Sequence, residues 1–366
     1  MAYSDIKDPS AHFQTKLYTG NASANHAITN DGNSNLQPDL VWMKHRTGNH
    51  SYYVVDSSRG RDKGLATDTN AAETTSSSST KDFQSFDTNG FTVGTVETTD
   101  SINAGGGSTI VAWQWKANGG TTSSNTDGTG ITSTVQANTD AGFSIVTYTG
   151  IGSGNANPSV GHGLGVTPQV VLVKGRSQAN SWVTYHYGID GANSRNKYLV
   201  LNSDGAAGTL ANYWGTSGVT SSTFGVYADN QSGNNYLNGT HVAYCFAEKQ
   251  GYSKFGKYVG NGVTDGTFVY TGFKPACIIT KTLTVAEGWG IYDNKRLGFN
   301  VYNDVLSLNS NGATYGGSTY NFMDILSNGF KCRRATYGPN QATTYIYMAF
   351  AENPFTTSSG IPTTAR

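Results

Sequence analysis

Apolar residues in this chain fall into short runs of strand length rather than helical stripes, and one such run is written three times. Pro38-Asp-Leu-Val-Trp-Met-Lys44, Pro168-Gln-Val-Val-Leu-Val-Lys174 and Pro275-Ala-Cys-Ile-Ile-Thr-Lys281 each begin with proline and end in lysine. An aromatic run follows each: Ser51-Tyr-Tyr-Val-Val-Asp56, Ser181-Trp-Val-Thr-Tyr-His186 and Gly288-Trp-Gly-Ile-Tyr-Asp293. Tyr52, Trp182 and Trp289 keep the prolines' offsets of 130 and 107 residues, so the register holds from proline to aromatic without a gap. Continuous apolar runs predict central strands buried on both faces. The proline, lacking an N–H, is expected where each strand starts.

The rest of the unit recurs as well. An aromatic-then-glycine strand precedes each proline (Leu17–Gly20, Thr147–Gly150, Lys257–Gly260), and a short strand beginning with Phe91, Phe224 or Phe330 follows. Two of the latter come after Asn-Gly (Asn89-Gly90, Asn328-Gly329), a tight-turn signal. Each copy closes on an aromatic strand: Val111-Ala-Trp-Gln-Trp115, Val242-Ala-Tyr-Cys-Phe246, Tyr347-Met-Ala-Phe350. Within Val242–Phe246 large residues alternate with small ones, predicting a strand packed on both sides with its large face toward the core. These patterns predict an all-β chain of three tandem antiparallel β-sandwich, jelly-roll-like repeats. The expected boundaries are an N-terminal arm (1–11), repeat one (12–117), a Gly/Ser/Thr linker (118–140), repeat two (141–248), a short joint (249–253), repeat three (254–354) and a polar C-terminal tail (355–366).

Composition changes the picture mainly by exclusion. Lys plus Arg and Asp plus Glu number 24 each, so the chain has no basic excess for nucleic acid and no simple route to an anionic membrane surface. No run approaches membrane-spanning length, and the polar start Met1-Ala-Tyr-Ser-Asp5 predicts no signal peptide. Only 13% of residues are charged; 46 glycines and 22 tyrosines supply turns and strands instead, which suits a protein held in an assembly. The three widely spaced cysteines (Cys245, Cys277, Cys332) predict buried free thiols rather than a disulfide framework or metal knuckle.

Chemical motifs are sparse. Gly251-Tyr-Ser-Lys-Phe-Gly-Lys257 matches seven positions of a phosphate loop, but Tyr258 replaces the required hydroxyl and a strand follows where a helix is needed. His162 reads as an exposed turn residue. His45 and His50 flank a turn and could meet, though a metal site is not expected there, and His186 stands where the other copies have Asp56 and Asp293. Asp56 with Arg59, and Asp293 with Lys295 and Arg296, read as surface ion pairs or turn caps. The oxygen-rich loop Asp229-Asn-Gln-Ser-Gly-Asn-Asn235 has a single carboxylate, fewer than calcium loops supply, so whether it holds Ca²⁺ is left open. No catalytic residue, cofactor site or metal site is expected. Tyr213, Trp214 and Tyr315 lie in Gly/Ser/Thr/Asn-rich loops and are the candidate ligand or interface contacts.

The Pro…Lys, Trp…Asp, Asn-Gly-Phe and Phe-Ala-Glu series (Phe246–Glu248, Phe350–Glu352) resembles a repeated domain of unknown function found in virion structural proteins of tailed phages of marine bacteria. Copy one departs from the pattern, with Trp115-Lys-Ala117 in place of Phe-Ala-Glu and a longer insertion. The resemblance implies a non-enzymatic virion component made in the host cytoplasm: a tail fibre or appendage subunit, or a capsid decoration. Its implied partners are other virion proteins and further copies of itself. A carbohydrate-binding adhesin that recognises a host surface glycan is the alternative, motivated by the loop aromatics. A depolymerase would need paired carboxylates across a cleft, and the copies share few acidic positions.

Overall fold

The computed structural model describes residues 4–78, 80–95, 102–317 and 320–354; the C-terminal tail assigned above to 355–366 lies outside them. The chain is all-β, with 42% of residues in strands and 4% in helix, as its periodicity predicts. Three antiparallel sheets dominate. The first contains β1 (Phe13–Thr19), β2 (Leu40–His45), β3 (Tyr53–Asp56) and β4 (Thr109–Trp115), hydrogen-bonded in the order β1-β4-β2-β3. The second contains β5 (Phe143–Thr149), β6 (Val170–Gly175), β7 (Val183–His186) and β8 (Thr240–Phe246), in the order β5-β8-β6-β7. The third contains β9 (Ser253–Val259), β10 (Phe273–Thr282), β11 (Gly290–Asp293) and β12 (Thr344–Pro354), in the order β9-β12-β10-β11.

The register matches too. Leu40, Val170 and Cys277 lie opposite Trp115, Phe246 and Phe350, the last aromatic of each closing strand. The proline-led strands are therefore central and buried. Pro38 and Pro168 precede their strands, but Pro275 lies inside β10 at a break in register, where its missing N–H disrupts no regular ladder. The Asn-Gly signals also need refinement. The two-residue turns are Thr88-Asn89 and Ser327-Asn328, and the glycine opens the next strand. A Cβ on Gly90 would lie 2.0 Å from the Ile28 carbonyl oxygen, and one on Gly329 2.1 Å from that of Val269, so close approach of the neighbouring strand requires glycine.

Each main sheet is buried on both faces. One face packs on a smaller sheet of its own segment: His26–Thr29, Phe83–Asp87 and Gly90–Val93 in the first, Ser159–Gly161 and Thr223–Gly225 in the second, Phe268–Tyr270, Met323–Leu326 and Gly329–Cys332 in the third. The other face, carrying Val111, Trp113 and Trp115, Val242, Tyr244 and Phe246, and Ile346, Met348 and Phe350 of the closing strands, enters a single core shared by all three segments. There Trp115, Phe246 and Phe350 form a triangle with ring centroids 6.2, 5.7 and 5.4 Å apart, and Phe13, Phe143 and Phe255 pack around it. The segments are thus not independent beads.

The stretch expected as a linker is tied into the body for the same reason. Ser123–Asn125 and Ser133–Asn138 extend the second sheet beside β5. The amides of Ala117, Gly119 and Gly120 converge on buried Asp39, at 2.8–2.9 Å. The N-terminal arm is anchored at the other junction: the Asp5 amide donates to the Gln250 carbonyl at 3.0 Å, and Ile6 enters the shared core.

Candidate functional site

The side chains that sequence reading marks as chemically interesting fall into two groups. Most are buried and join one segment to the next; a smaller set is gathered on the surface of the third segment.

Every proline-led strand ends in a buried lysine whose ammonium donates to a backbone carbonyl of another segment. Lys44 reaches Asn311 at 3.0 Å, Lys174 reaches Asn70 at 3.0 Å and Lys281 reaches Asp204 at 3.1 Å. Burial holds Lys174 and Lys281 down at about 8. The indole N–H of Trp182 donates to Ala66 O at 2.7 Å and that of Trp289 to Val200 O at 3.0 Å, again between segments. The acceptor loops carry Asp68, Asn202 and Asn309, which accept the amides of Tyr52, Trp182 and Trp289. The matching spacing of Asn202-Ser-Asp204 and Asn309-Ser-Asn311 is the sequence signal that points to these loops.

The residue ending each aromatic strand makes the next set of junctions. Asp56 and Arg59 are fully buried and 2.5 Å apart, and Tyr244 of segment two donates its hydroxyl to Asp56 at 2.7 Å. Arg59 also meets Glu73, which in turn holds Arg176 of segment two. Asp293 and Arg296 form a buried pair at 2.6 Å and receive the indole N–H of Trp113, from segment one, at 3.2 Å. Neither is the surface pair that an i, i+3 spacing suggests, because the closing strand of another segment covers each.

His186 completes the series. Its Nε2–H donates to the Tyr347 carbonyl of segment three at 3.1 Å while Nδ1 accepts the Gly188 amide at 2.9 Å, which fixes the neutral tautomer. Burial lowers its pKa to about 4. Buried His241, stacked on Tyr148, is lowered to about 4 by burial and by Lys174 and Arg176. As pH falls from about 6.5 to 4, the unfolded chain takes up protons that these rings resist in the fold. Stability should therefore drop across that window by up to about 3 kcal/mol per ring. Urea midpoints measured from pH 7 to 4.5 check this, and a profile unchanged by His186→Gln would contradict it.

His162 is also buried, contrary to the exposed turn expected. Its Nε2–H donates to Thr220 O and its Nδ1 accepts from the Leu164 amide, so the ring braces its own loop. The Asp229 loop directs its amide oxygens inward: Asn234 accepts from Tyr227 N and Ser232 Oγ, and Asn235 from Ile151 N. No group of three or more His, Cys, Asp or Glu among the described residues could hold a metal ion. The three thiols are buried and unpaired, and burial pushes Cys245 and Cys332 up to about 12, far from a reactive thiolate. Gly251–Lys257 continues into β9, and no helix follows it.

The candidate contact residues separate. Tyr213 and Trp214 are not exposed: Trp214 is fully buried, its indole N–H on Lys197 O at 2.9 Å, and Tyr213 stacks on Tyr198 at 4.5 Å. Their loop folds back over the second sheet and fills its outer core. Tyr315 is 55% exposed, on the two-residue strand Tyr315–Gly316 opposite Val305 rather than in a loop, with its ring 4.8 Å from Tyr320. Sequence reading did not single out the rest of this patch, Tyr337 (65% exposed) and Arg334, whose guanidinium lies 4.5 Å from the Tyr320 ring and 5.4 Å from that of Tyr337. Arg333-Arg334 directly after the outer strand was the available signal.

No curated protein and no solved structure matches the chain. One family does, in a single match from residue 8 to residue 354 that takes in all three main sheets. The chain therefore belongs to the family described as a domain of unknown function (DUF7483).

Proposed function

We propose that this protein is a non-catalytic structural component of a phage particle, exposed on its surface as a tail fibre or appendage subunit or a capsid decoration. It acts by packing against other particle proteins and further copies of itself. One observation supports this most: most of the interior charges are engaged in joining segments. Lys44, Lys174, Lys281, Tyr244–Asp56, Trp113–Asp293 and His186 each bond across a junction, which is the organisation of a rigid building block rather than of a reaction centre. We take the three segments as copies of one β-sandwich, on the strength of their common strand order and register. The phage assignment comes from the sequence resemblance. Mass spectrometry of purified particles should find the chain at stoichiometric abundance; its absence from intact particles would overturn the proposal.

A second reading, recognition of a host surface glycan, is favoured by the exposed Tyr315 and Tyr337 and the half-buried Tyr320 and Arg334 between them. Aromatic rings beside hydrogen-bonding groups are a common means of holding sugars and protein surfaces.

A further inference from the structure

The geometry points to a subsite for one pyranose unit of a neutral glycan in the third segment, in a cleft over β11 walled by Tyr315 and Tyr337. This inference rests on the glycan-recognition reading and gives it a location.

The cleft exists because one position differs among three otherwise matching strands. Tyr53, Val183 and Gly290 occupy the same register position, opposite Met43, Val173 and Thr280. In segment one, the Tyr53 ring covers the spot and lies against Gly64 of the next strand, where a Cβ would come within 2.7 Å of it. In segment two, Val183 packs there with Tyr213, Trp214 and the adjacent Tyr198. In segment three the position is glycine, the Tyr292 ring leans over it so closely that a Cβ would come within 2.9 Å of Tyr292 Oη, and the neighbouring strand offers Val305; a cleft of about 140 Å³ remains beside that ring. A cavity of roughly that size accepts one six-membered ring.

The lining suits a sugar. Tyr315 and Tyr337 stand at the cleft, 55% and 65% exposed, and can offer flat faces to the C–H face of a pyranose. Tyr292 and Phe322 continue the apolar wall. Glu287 is held in place by the Gly338 amide and the Gln341 side chain, and Thr280, Thr282 and Ser307 add hydroxyls, so ring hydroxyls meet both acceptors and donors. Arg334, stacked among Tyr320, Phe322 and Tyr337, stiffens the rim. A few aromatic surfaces with convergent polar groups are the usual make-up of a small-ligand site.

The test uses the full chain and a panel of neutral oligosaccharides containing glucose, galactose or mannose. Wild type should bind at least one member. Tyr315→Ala with Tyr337→Ala should weaken that binding about tenfold or more, because each truncation removes a stacking face. Gly290→Val, whose Cβ would come within 2.9 Å of Tyr292 Oη and force that ring to shift within the cleft, should also weaken binding. Unchanged melting of the exposed-tyrosine variant serves as the folding control. Ligand-induced shifts of the Tyr315 and Tyr337 ring resonances in wild type provide a readout independent of any variant. If wild type binds but neither the variants nor the ring resonances respond, the cleft is wrong and the glycan reading stands. If wild type binds no member of the panel, both fail.

Discussion

Asp293→Ala should lower the unfolding free energy by about 3–5 kcal/mol, the cost of leaving a buried cation without its counter-ion. Among the described residues, Asp293 is the carboxylate bonded to Arg296, and Nη1 of that guanidinium is buried without a partner. Asp293 also accepts the amides of Lys295 and Arg296 and the indole N–H of Trp113, so one truncation strands several donors at once. Asp56→Ala should cost less, although its pair looks the same in sequence, because Glu73 remains on the other side of Arg59 at 2.9 Å. Urea titrations with a shared m-value check the ordering, and equal losses for the two variants would show that the second carboxylate does not support Arg59.

Phe350→Ala should cost about 3–5 kcal/mol, the range for removing a large aromatic from a packed interior. The ring is 1% exposed and touches Phe13 and Trp115 of the first segment, Phe246 of the second, Tyr252 of the joint and Phe255 of its own. Because those neighbours span the molecule, the variant should melt earlier as a whole. A mutation confined to one independent domain would instead leave the other two melting where they did. Tryptophan fluorescence, which samples all three segments through Trp42, Trp113 and Trp115, Trp182 and Trp214, and Trp289, distinguishes the two outcomes when read beside far-UV circular dichroism: coincident shifted transitions mean one body, a split transition means independent segments.

How much of this was legible in the sequence follows from what each signal encodes. Which positions of the three segments correspond was readable because the proline-to-aromatic spacing is constant, and Leu40, Val170 and Cys277 do lie opposite equivalent partners; which strands pair was not, since spacing along the chain does not name a strand's neighbour. Period-two alternation also showed that Val242, Tyr244 and Phe246 share a face. It could not show that this face meets two other sheets, since alternation records burial and not what provides it. The same gap accounts for Asp56–Arg59: an i, i+3 pair reads as a surface turn until Tyr244, 188 residues away, is placed over it. Tyr213 and Trp214 were misread because their loop is polar in composition. Its backbone satisfies itself locally, with Trp214 N on Arg195 O and Leu210 N on Asn196 O, which lets the two rings turn inward. The third-segment cleft needed the comparison of Tyr53, Val183 and Gly290 in space, because a glycine in a strand announces room without saying what borders it.

The lysine, aspartate and histidine junctions matter to function only if they make one body of the three segments. Differential scanning calorimetry of the full chain tests that most directly. A single shared core predicts one transition with calorimetric and van't Hoff enthalpies in agreement. Separable transitions, or a calorimetric enthalpy about three times the van't Hoff value, would mean that the segments unfold independently and that the junctions do not bind them into a unit.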